Sequence, residues 1–444
     1  MKQATPPVEV VELREWETRE NLDVELSPTD REQATQLGSG GAGKLIIDEL
    51  RHGLRVKASS WVGVVRFSNF EVQVRPKFAE ENLDLVRLIA YAGGLDSFKR
   101  FRIPHNLPQK GHSLFDLVAL LFAEACERLL KRGLLSDYKQ LEEDLPVLRG
   151  RLLPLQQAVR RLGLLNRLEC RYDEYLSDIP ENQVLRGALE HCALRATYGM
   201  LMPRIRRLHG IFASVCHRAP CDPEEILENM TYNRLKEHYR EPHELARLIL
   251  ATLGIKDLYS RGDARCFSFL VDMNHLFECF VSRWLCELLP RRGFQVQSQR
   301  RVSSIIWDVG TNCSYKRVVP DILVTQGGRR ISGLPIDAKY IPYDERSLDE
   351  ENIYQAFLYA YALGRRGQDT APAALLLYPA SAPGGKEHPS DGHRLEIRDT
   401  AGKRGAEISA IGIHIPSAVR EAEEGEPDDV GRRVIEAVER SFAP

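Results

Sequence analysis

Two acidic residues and one lysine interrupt two short apolar runs in the last third of the sequence. Asp321 lies in Val-Val-Pro-Asp-Ile-Leu-Val, and Asp337 and Lys339 lie in Leu-Pro-Ile-Asp-Ala-Lys-Tyr. Apolar, β-branched runs on either side of Gly327-Gly328 predict two neighbouring strands joined by a turn. Ionised groups are expensive to bury without a partner or a metal, so their presence in such strands points to chemistry.

The spacing of these residues predicts where their side chains lie. Side chains alternate faces along a strand, so Asp337 and Lys339 share one face and Ala338 takes the other. A turn centred near the two glycines places Asp337 opposite Val319 and leaves Asp321 as a diagonal neighbour, about 7–8 Å away between backbones. Two carboxylates at this spacing can share one cation.

The chemistry of this set is that of phosphodiester hydrolysis. Carboxylates, a carbonyl and retained water suit Mg²⁺, and a lysine beside the metal can position or help deprotonate an attacking water. The alternative is a core strand pair in which Asp337 and Lys339 form an ion pair and Asp321 ends a strand.

The order of these residues resembles the signature of the PD-(D/E)xK nuclease superfamily, with Pro-Asp at Asp321 followed by Asp-Ala-Lys from Asp337 to Lys339. Upstream, residues 269–281 are predicted as a helix that carries an acid at Glu278, and this helix extends to residue 289. That helix followed by two strands fits the same superfamily.

A second helix is predicted downstream, where Gln355 and Tyr359 lie four residues apart and therefore share one helical face. A helix with Gln-x-x-x-Tyr after the Asp-x-Lys strand is similar to RecB-type members of that superfamily. Each motif alone is weak evidence for this resemblance. Their order on helix, strand, strand and helix makes the combined evidence strong.

The elements around the site suggest an α+β multidomain protein. The 444 residues predict two or three domains. We predict a small β-rich N-terminal domain at 1–80, a mainly helical middle domain at 81–262, with helices through 142–152, and a C-terminal PD-(D/E)xK restriction-endonuclease-like α/β core at 263–444. Gly38 to Lys44 matches the start of a phosphate-binding loop, but Leu45 replaces the required Ser or Thr, so a glycine turn is favoured.

Composition bounds the class of function. The formal net charge is -2, which is unusual for a protein that binds DNA without a partner. We therefore expect a partner protein to contribute much of the DNA binding. No apolar run is long enough for a membrane span, and we expect no membrane association. Nine scattered cysteines favour reduced thiols in a cytoplasm.

The resemblance extends along most of the chain to the McrC family. It is carried by short segments at 61–65, 74–78, 142–145, 148–152 and 172–182, together with the acidic hairpin. It implies the endonuclease subunit of a McrBC 5-methylcytosine restriction system. Its implied partners are a McrB-like AAA+ GTPase ring, bound through the N-terminal part and stimulated in its NTP hydrolysis, and double-stranded DNA that is methylated or otherwise modified.

The same resemblance implies roles for the site residues. Asp321, Asp337 and the Ala338 carbonyl would bind Mg²⁺, for which Mn²⁺ is a substitute, and Lys339 would orient the water or stabilise developing charge. Glu278 would be an acid beyond the metal ligands. Gln355 and Tyr359 would steady the site or touch DNA. A different class of function is also open, namely a non-cleaving regulatory or scaffold subunit that activates an AAA+ ring.

Overall fold

The structure is a computed structural model with two compact units. It describes residues 9–39, 43–78, 82–92, 114–162, 164, 166–196, 198–217, 220, 222–251, 267–299, 302–326, 333–365, 371–381, 393–425 and 429–443. One unit comprises Met1–Gly111 and Leu270–Pro444, and the other comprises His112–Phe269. Both helices and several sheets are present, as predicted, whereas the division into three segments stays a prediction.

The described residues form eighteen strands and twelve α-helices. The strands are β1 Glu9–Arg14, β2 Thr18–Leu22, β3 Leu45–Glu49, β4 Leu54–Ala58, β5 Trp61–Arg66, β6 Phe70–Arg75, β7 Asp137–Leu145, β8 Arg151–Leu152, β9 Leu168–Leu176, β10 Phe267–Asp272, β11 Gln295–Ser298, β12 Val302–Asp308, β13 Cys313–Val318, β14 Ile322–Thr325, β15 Leu334–Ala338, β16 Ala373–Pro379, β17 His393–Arg398 and β18 Arg404–Ile413. The helices are α1 Pro28–Gly38, α2 Asn82–Ala92, α3 Leu114–Arg132, α4 Pro154–Arg161, α5 Pro180–Arg195, α6 Met202–Val215, α7 Pro223–Glu228, α8 Arg240–Ala251, α9 Met273–Leu288, α10 Glu350–Leu363, α11 Ile415–Glu424 and α12 Asp429–Phe442. In the part of the chain that the structure describes, no helix is both long and apolar enough to span a bilayer.

The N-terminal part of the first unit contains two small sheets. One has the strand order β1-β6-β5-β10, and the other has the order β2-β4-β3. A turn at Ser68-Asn69 joins β5 to β6, and the Phe67 N–H donates to the Phe70 carbonyl across it. Ser27 caps α1, because its hydroxyl accepts from the Asp30 N–H and the Asp30 carboxylate accepts from the Ser27 N–H.

A six-stranded mixed sheet forms the C-terminal part of the first unit and carries the acidic residues. Its order is β11-β14-β15-β16-β18-β17, in which β15, β16 and β18 run parallel and the remaining neighbours are antiparallel. Helix α10 packs on this sheet through Ala356 and Ala360, which share a core with Leu376 and Ile408. The sheet and α10 therefore form one rigid support for the site.

The second unit is mainly helical but also contains a three-stranded sheet of order β7-β9-β8. The prediction of helices through 142–152 is wrong, because β7 extends to Leu145 and β8 follows at Arg151. The nine residues of β7 are mostly exposed on both faces, so they lack the apolar alternation that marks a strand. The strand is held by its full-length pairing with β9 and by charged side chains across that pair.

Candidate active site

The two acids lie side by side at the edge where β14 begins and β15 ends. Ile322 pairs with Ile336, and continuing that register sets Asp321 directly opposite Asp337. The Ala338 N–H donates to Asp321 Oδ2 over 2.8 Å, which ties the first acid to the strand of the second. The two carboxylates are therefore closer neighbours than the sequence predicted.

The predicted register is wrong by two residues. Asp337 was expected opposite Val319, but the pairing is symmetric about position 329, one residue beyond the point on which the prediction was centred. The predicted glycine turn lies in residues 327–332, outside the described residues. The apolar run that contains Asp321 is also not one strand, because it is divided between β13 and β14 at Pro320, whose missing N–H cannot continue a ladder.

Lys339 lies beside Asp337 on the same face, as alternation predicted. Its Nζ is 3.0 Å from Asp337 Oδ2, and only 3% of Asp337 is exposed. This ion pair is the one expected under the alternative interpretation of the strands. Asp337 Oδ2 is buried, and it has no hydrogen bond of regular geometry among the described residues besides this ion pair.

The pair of carboxylates carries more negative charge than Lys339 balances. Burial, and then the neighbouring Asp337 and Glu278, raise the pKa of Asp321 to about 7. Burial alone would lower the pKa of Lys339, but Asp337 and Asp321 outweigh burial, so the pKa of Lys339 is raised and the amine stays protonated. A further cation is the simplest compensation for such a cluster.

The donor set suits a divalent metal that retains water. Within the described residues, no group of three His, Cys, Asp or Glu side chains lies close enough to hold a metal ion. The chain thus offers two carboxylates, Asp321 and Asp337, and the backbone carbonyl of Ala338 remains the predicted third ligand. A set of few oxygen ligands fits Mg²⁺ or Mn²⁺ and does not fit a structural zinc site.

Glu278 lies on α9 near this cluster. The helix begins at Met273, capped by the Asp272 side chain, so the predicted start at residue 269 is wrong and residues 267–272 form β10. Glu278 Oε1 accepts a hydrogen bond of 2.9 Å from Gln299 Nε2, and the Gln299 N–H donates to the Asp321 carbonyl.

Gln299 is a link that the sequence analysis missed. It joins the helical acid to the backbone of Asp321 and follows β11, which pairs with β14. Its φ of 46° lies in the left-handed region, which is uncommon outside glycine. One sequence feature could have indicated Gln299, namely its position directly after the alternating residues of β11.

Gln355 and Tyr359 contact each other on α10, as their spacing predicted. Gln355 Nε2 donates to the Tyr359 hydroxyl over 2.8 Å, and that hydroxyl donates to the Val319 carbonyl over 3.1 Å. Burial raises the pKa of Tyr359, so it remains a neutral donor. The two residues therefore fix the segment that leads into Asp321.

A buried acid from the N-terminal part, which the sequence did not predict, contacts the residue that follows Lys339. Glu15 Oε2 accepts from the Tyr340 hydroxyl at 2.9 Å and from the Lys77 N–H at 2.6 Å. Tyr340 follows Lys339 directly and is buried against Trp16 and Phe78. This contact holds the end of β15 from behind.

Other sequence features lie partly outside the described residues. The glycine-rich stretch includes residues 40–42, which are outside them, and Lys44 lies over the Trp61 ring with its Nζ 4.7 Å from the centroid. The sequence also has basic segments at 99–102 and 204–207. The first is outside the described residues, and in the second Arg204 and Arg207 both form ion pairs with Glu127.

One comparison with known proteins shows the family of the chain. A family model described as McrBC 5-methylcytosine restriction system component matches residues 56–379. No curated protein matches the chain. A chain from a half-complex of a tetradecameric assembly of Thermococcus gammatolerans McrB AAA+ hexamers with bound McrC is similar in fold, with a TM-score of 0.64 and 19% identity, covering 97% of this chain and 100% of that chain.

A chain from the Thermococcus gammatolerans McrBC complex has a TM-score of 0.46 and 21% identity, covering 63% of this chain and 88% of that one. The family match does not depend on these structural likenesses, and it spans well over half of the sequence. The chain therefore belongs to the family of McrBC 5-methylcytosine restriction system components.

Proposed function

We propose that the chain is an Mg²⁺-dependent endonuclease subunit of a modification-dependent restriction system, with a PD-(D/E)xK core at 263–444. The observation that carries the proposal is the pairing of half-buried Asp321 with buried Asp337, whose carboxylate lies 3.0 Å from the Lys339 amine. Family membership supports the restriction setting. Double-stranded DNA, methylated or otherwise modified, is the proposed substrate.

The metal would be held by the Asp321 and Asp337 carboxylates and the Ala338 carbonyl. Mg²⁺ bound there would acidify a coordinated water and offset negative charge at the scissile phosphate. Mn²⁺ would substitute, since it takes the same oxygen ligands.

The protein side chains have distinct tasks in this scheme. Because its raised pKa keeps the Lys339 amine protonated, it donates hydrogen bonds from Nζ to the attacking water or the phosphate oxygens and does not act as the base. Gln299 holds Glu278 beside the backbone of Asp321, and Tyr359 holds the Val319 carbonyl. Glu278 acts on Asp321 through its charge and would serve as an acid beyond the metal ligands.

The proposed partner is a McrB-like AAA+ GTPase ring whose NTP hydrolysis this chain stimulates. The near-neutral charge supports a division of labour in which the partner recognises and translocates DNA. We propose that residues 1–80 dock on that ring. The fold likeness to a chain of an assembly of McrB hexamers with bound McrC is compatible with this arrangement.

The decisive experiment separates cutting from ring stimulation. Asp337→Ala should abolish DNA cutting in the presence of the AAA+ partner and Mg²⁺, and it should leave stimulation of NTP hydrolysis intact. Glu407→Ala, which removes an ion-paired acid from β18 of the same sheet, is the matched control and should cut normally. Unchanged cutting by Asp337→Ala would contradict the proposal and move the cleavage chemistry away from this acid pair.

A further inference from the structure

The hairpin of β12 and β13 has unusually exposed apolar side chains. It forms a two-stranded sheet, and among the described strands it pairs with no other. Trp307, Val309 and Tyr315 are 50%, 88% and 66% exposed. Several exposed aromatic and aliphatic side chains on one short hairpin indicate an interaction surface.

The base of this hairpin is anchored to the candidate active site. Ile305 and Ile306 pack against a small core that contains Leu323 of β14 and Tyr359 of α10. Strand β13 ends at Val318, three residues before Asp321. Whatever contacts the exposed part of the hairpin is therefore held within a short, fixed distance of the two acids.

The charge on the hairpin is opposite to the overall charge of the chain. Lys316 and Arg317 are exposed on β13, and neither forms an ion pair with any described residue. The nearby acid, Asp308, turns its carboxylate to the Gly310 and Thr311 N–H groups of the connecting turn. The hairpin thus presents two uncompensated cations, whereas many arginines elsewhere, such as Arg394, are paired with acids.

We propose that this hairpin is a contact surface for double-stranded DNA, with Lys316 and Arg317 on phosphates and Trp307 and Tyr315 against the sugars and base edges of a groove. The proposal rests on the proposed nuclease function and adds the surface that holds the substrate. Free cations complement a polyanion, while the centres of protein–protein interfaces are depleted of lysine. Aromatic side chains beside such cations are a recurrent means of gripping a nucleic acid.

The test measures binding of a short labelled DNA duplex to the full chain at low salt, with EDTA present to prevent cutting. The double variant Lys316→Ala/Arg317→Ala should reduce the slope of log affinity against log salt by about 1.8, since each lost phosphate contact accounts for about 0.9. The double variant Trp307→Ala/Tyr315→Ala should weaken binding about tenfold with little change in that slope.

A matched control uses Lys131 and Lys403, two other exposed lysines, at the end of α3 and before β18. Lys131→Ala/Lys403→Ala removes the same charge and should leave both affinity and slope unchanged. Circular dichroism and the melting temperature report whether each variant is folded. The inference is overturned if the hairpin variants bind DNA as the unaltered chain does, or if the unaltered chain binds no duplex at low salt.

Cutting assays distinguish this inference from the proposed function. With the AAA+ partner present, the hairpin variants should raise KM for DNA while kcat stays within about twofold. Asp337→Ala should instead lose cutting and retain duplex binding. Normal cutting by Asp337→Ala defeats the proposed function itself. Hairpin variants that bind and cut DNA normally but fail to stimulate the AAA+ partner would overturn the inference in favour of a protein-docking role.

Discussion

Two strands of this protein carry charged side chains in very different surroundings. On β15 in the first unit, Asp337 is almost fully buried and has Lys339 at 3.0 Å. On β7 in the second unit, most of the acids are exposed, and some contact side chains of β9. For example, Arg171 Nε donates to Glu142 over 2.7 Å. Both regions carry charged side chains, but those of β7 are mostly exposed to solvent, whereas Asp337 is buried.

The difference teaches that burial, and not the number of charges, identifies the site. Exposed ion pairs contribute about 0–1 kcal/mol each and are screened by salt. A buried carboxylate without a complete set of partners is costly, and it persists where a ligand or a function compensates. Asp337 on β15, with Asp321 beside it, meets that description, whereas the ladder of β7 and β9 is a solvated structural element.

The largest expected difference is in the free energy of unfolding, between substitution of Lys339 and substitution of Arg171. Lys339→Met leaves the Asp337 carboxylate buried beside Asp321 without its cation, so the free energy of unfolding should fall by about 3 kcal/mol in metal-free buffer. Arg171→Met removes a cation from an exposed pair and should change it by less than about 1 kcal/mol. Calorimetry of the full chain measures both changes.

Added Mg²⁺ should recover part of the loss in Lys339→Met and should not affect Arg171→Met, because binding to the folded state stabilises it. Equal destabilisation by the two variants would contradict the claimed difference between the buried charges at β15 and the exposed charges of β7 and β9. Cutting with the partner should also fall about 100-fold or more in Lys339→Met.

Glu15 extends the comparison to a buried acid that has no second carboxylate beside it. Burial raises its pKa from the ordinary value of 4.5 to about 7, although its bonds from Lys77 and Tyr340 act the other way. Folding therefore favours the protonated form. The stabilising contribution is fully present below about 4.5 and is lost as the pH rises through about 7.

Glu15→Gln should remove this pH dependence, because an amide resembles the protonated carboxyl and does not titrate. Above about pH 7.5 the variant should be more stable than the native chain by roughly 2 to 3 kcal/mol, with little difference near pH 4.5. Urea unfolding across that range measures the effect. Parallel stability curves for the two proteins would show that Glu15 is not the titrating group.

Tyr359 should give the smallest of these effects. Tyr359→Phe removes the bond donated to the Val319 carbonyl and leaves Gln355 without its acceptor, at a cost of about 1 kcal/mol in stability. Tyr354→Phe, on an exposed face of the same helix, is the control and should be neutral. Thermal melts measure both. An equal effect of the two substitutions would show that the Tyr359 hydroxyl does not stabilise the segment before Asp321.

Local patterns predicted the parts of the site that depend on nearby residues. Alternation placed Asp337 and Lys339 on one face, and helical spacing brought Gln355 to Tyr359. Both relations span a few residues and follow from backbone geometry alone.

What the sequence did not predict depends on distant partners or on the absence of an apolar pattern. Glu15 meets Tyr340 across 325 positions, and no local periodicity records that contact. The register of β14 on β15 depends on the length of their connection, which glycines alone did not fix. Strand β7 is charged on both faces and is defined by its partner β9.

Divalent-metal binding tests the central claim most directly. Titration of the full chain with Mn²⁺, followed by electron paramagnetic resonance, should give one saturable site that is lost in both Asp321→Asn and Asp337→Asn. The site should persist in Glu142→Gln, which alters an acid of the exposed ladder. Saturable binding that survives in Asp337→Asn, or that disappears in Glu142→Gln, would contradict the assignment of the buried acid pair as the metal site.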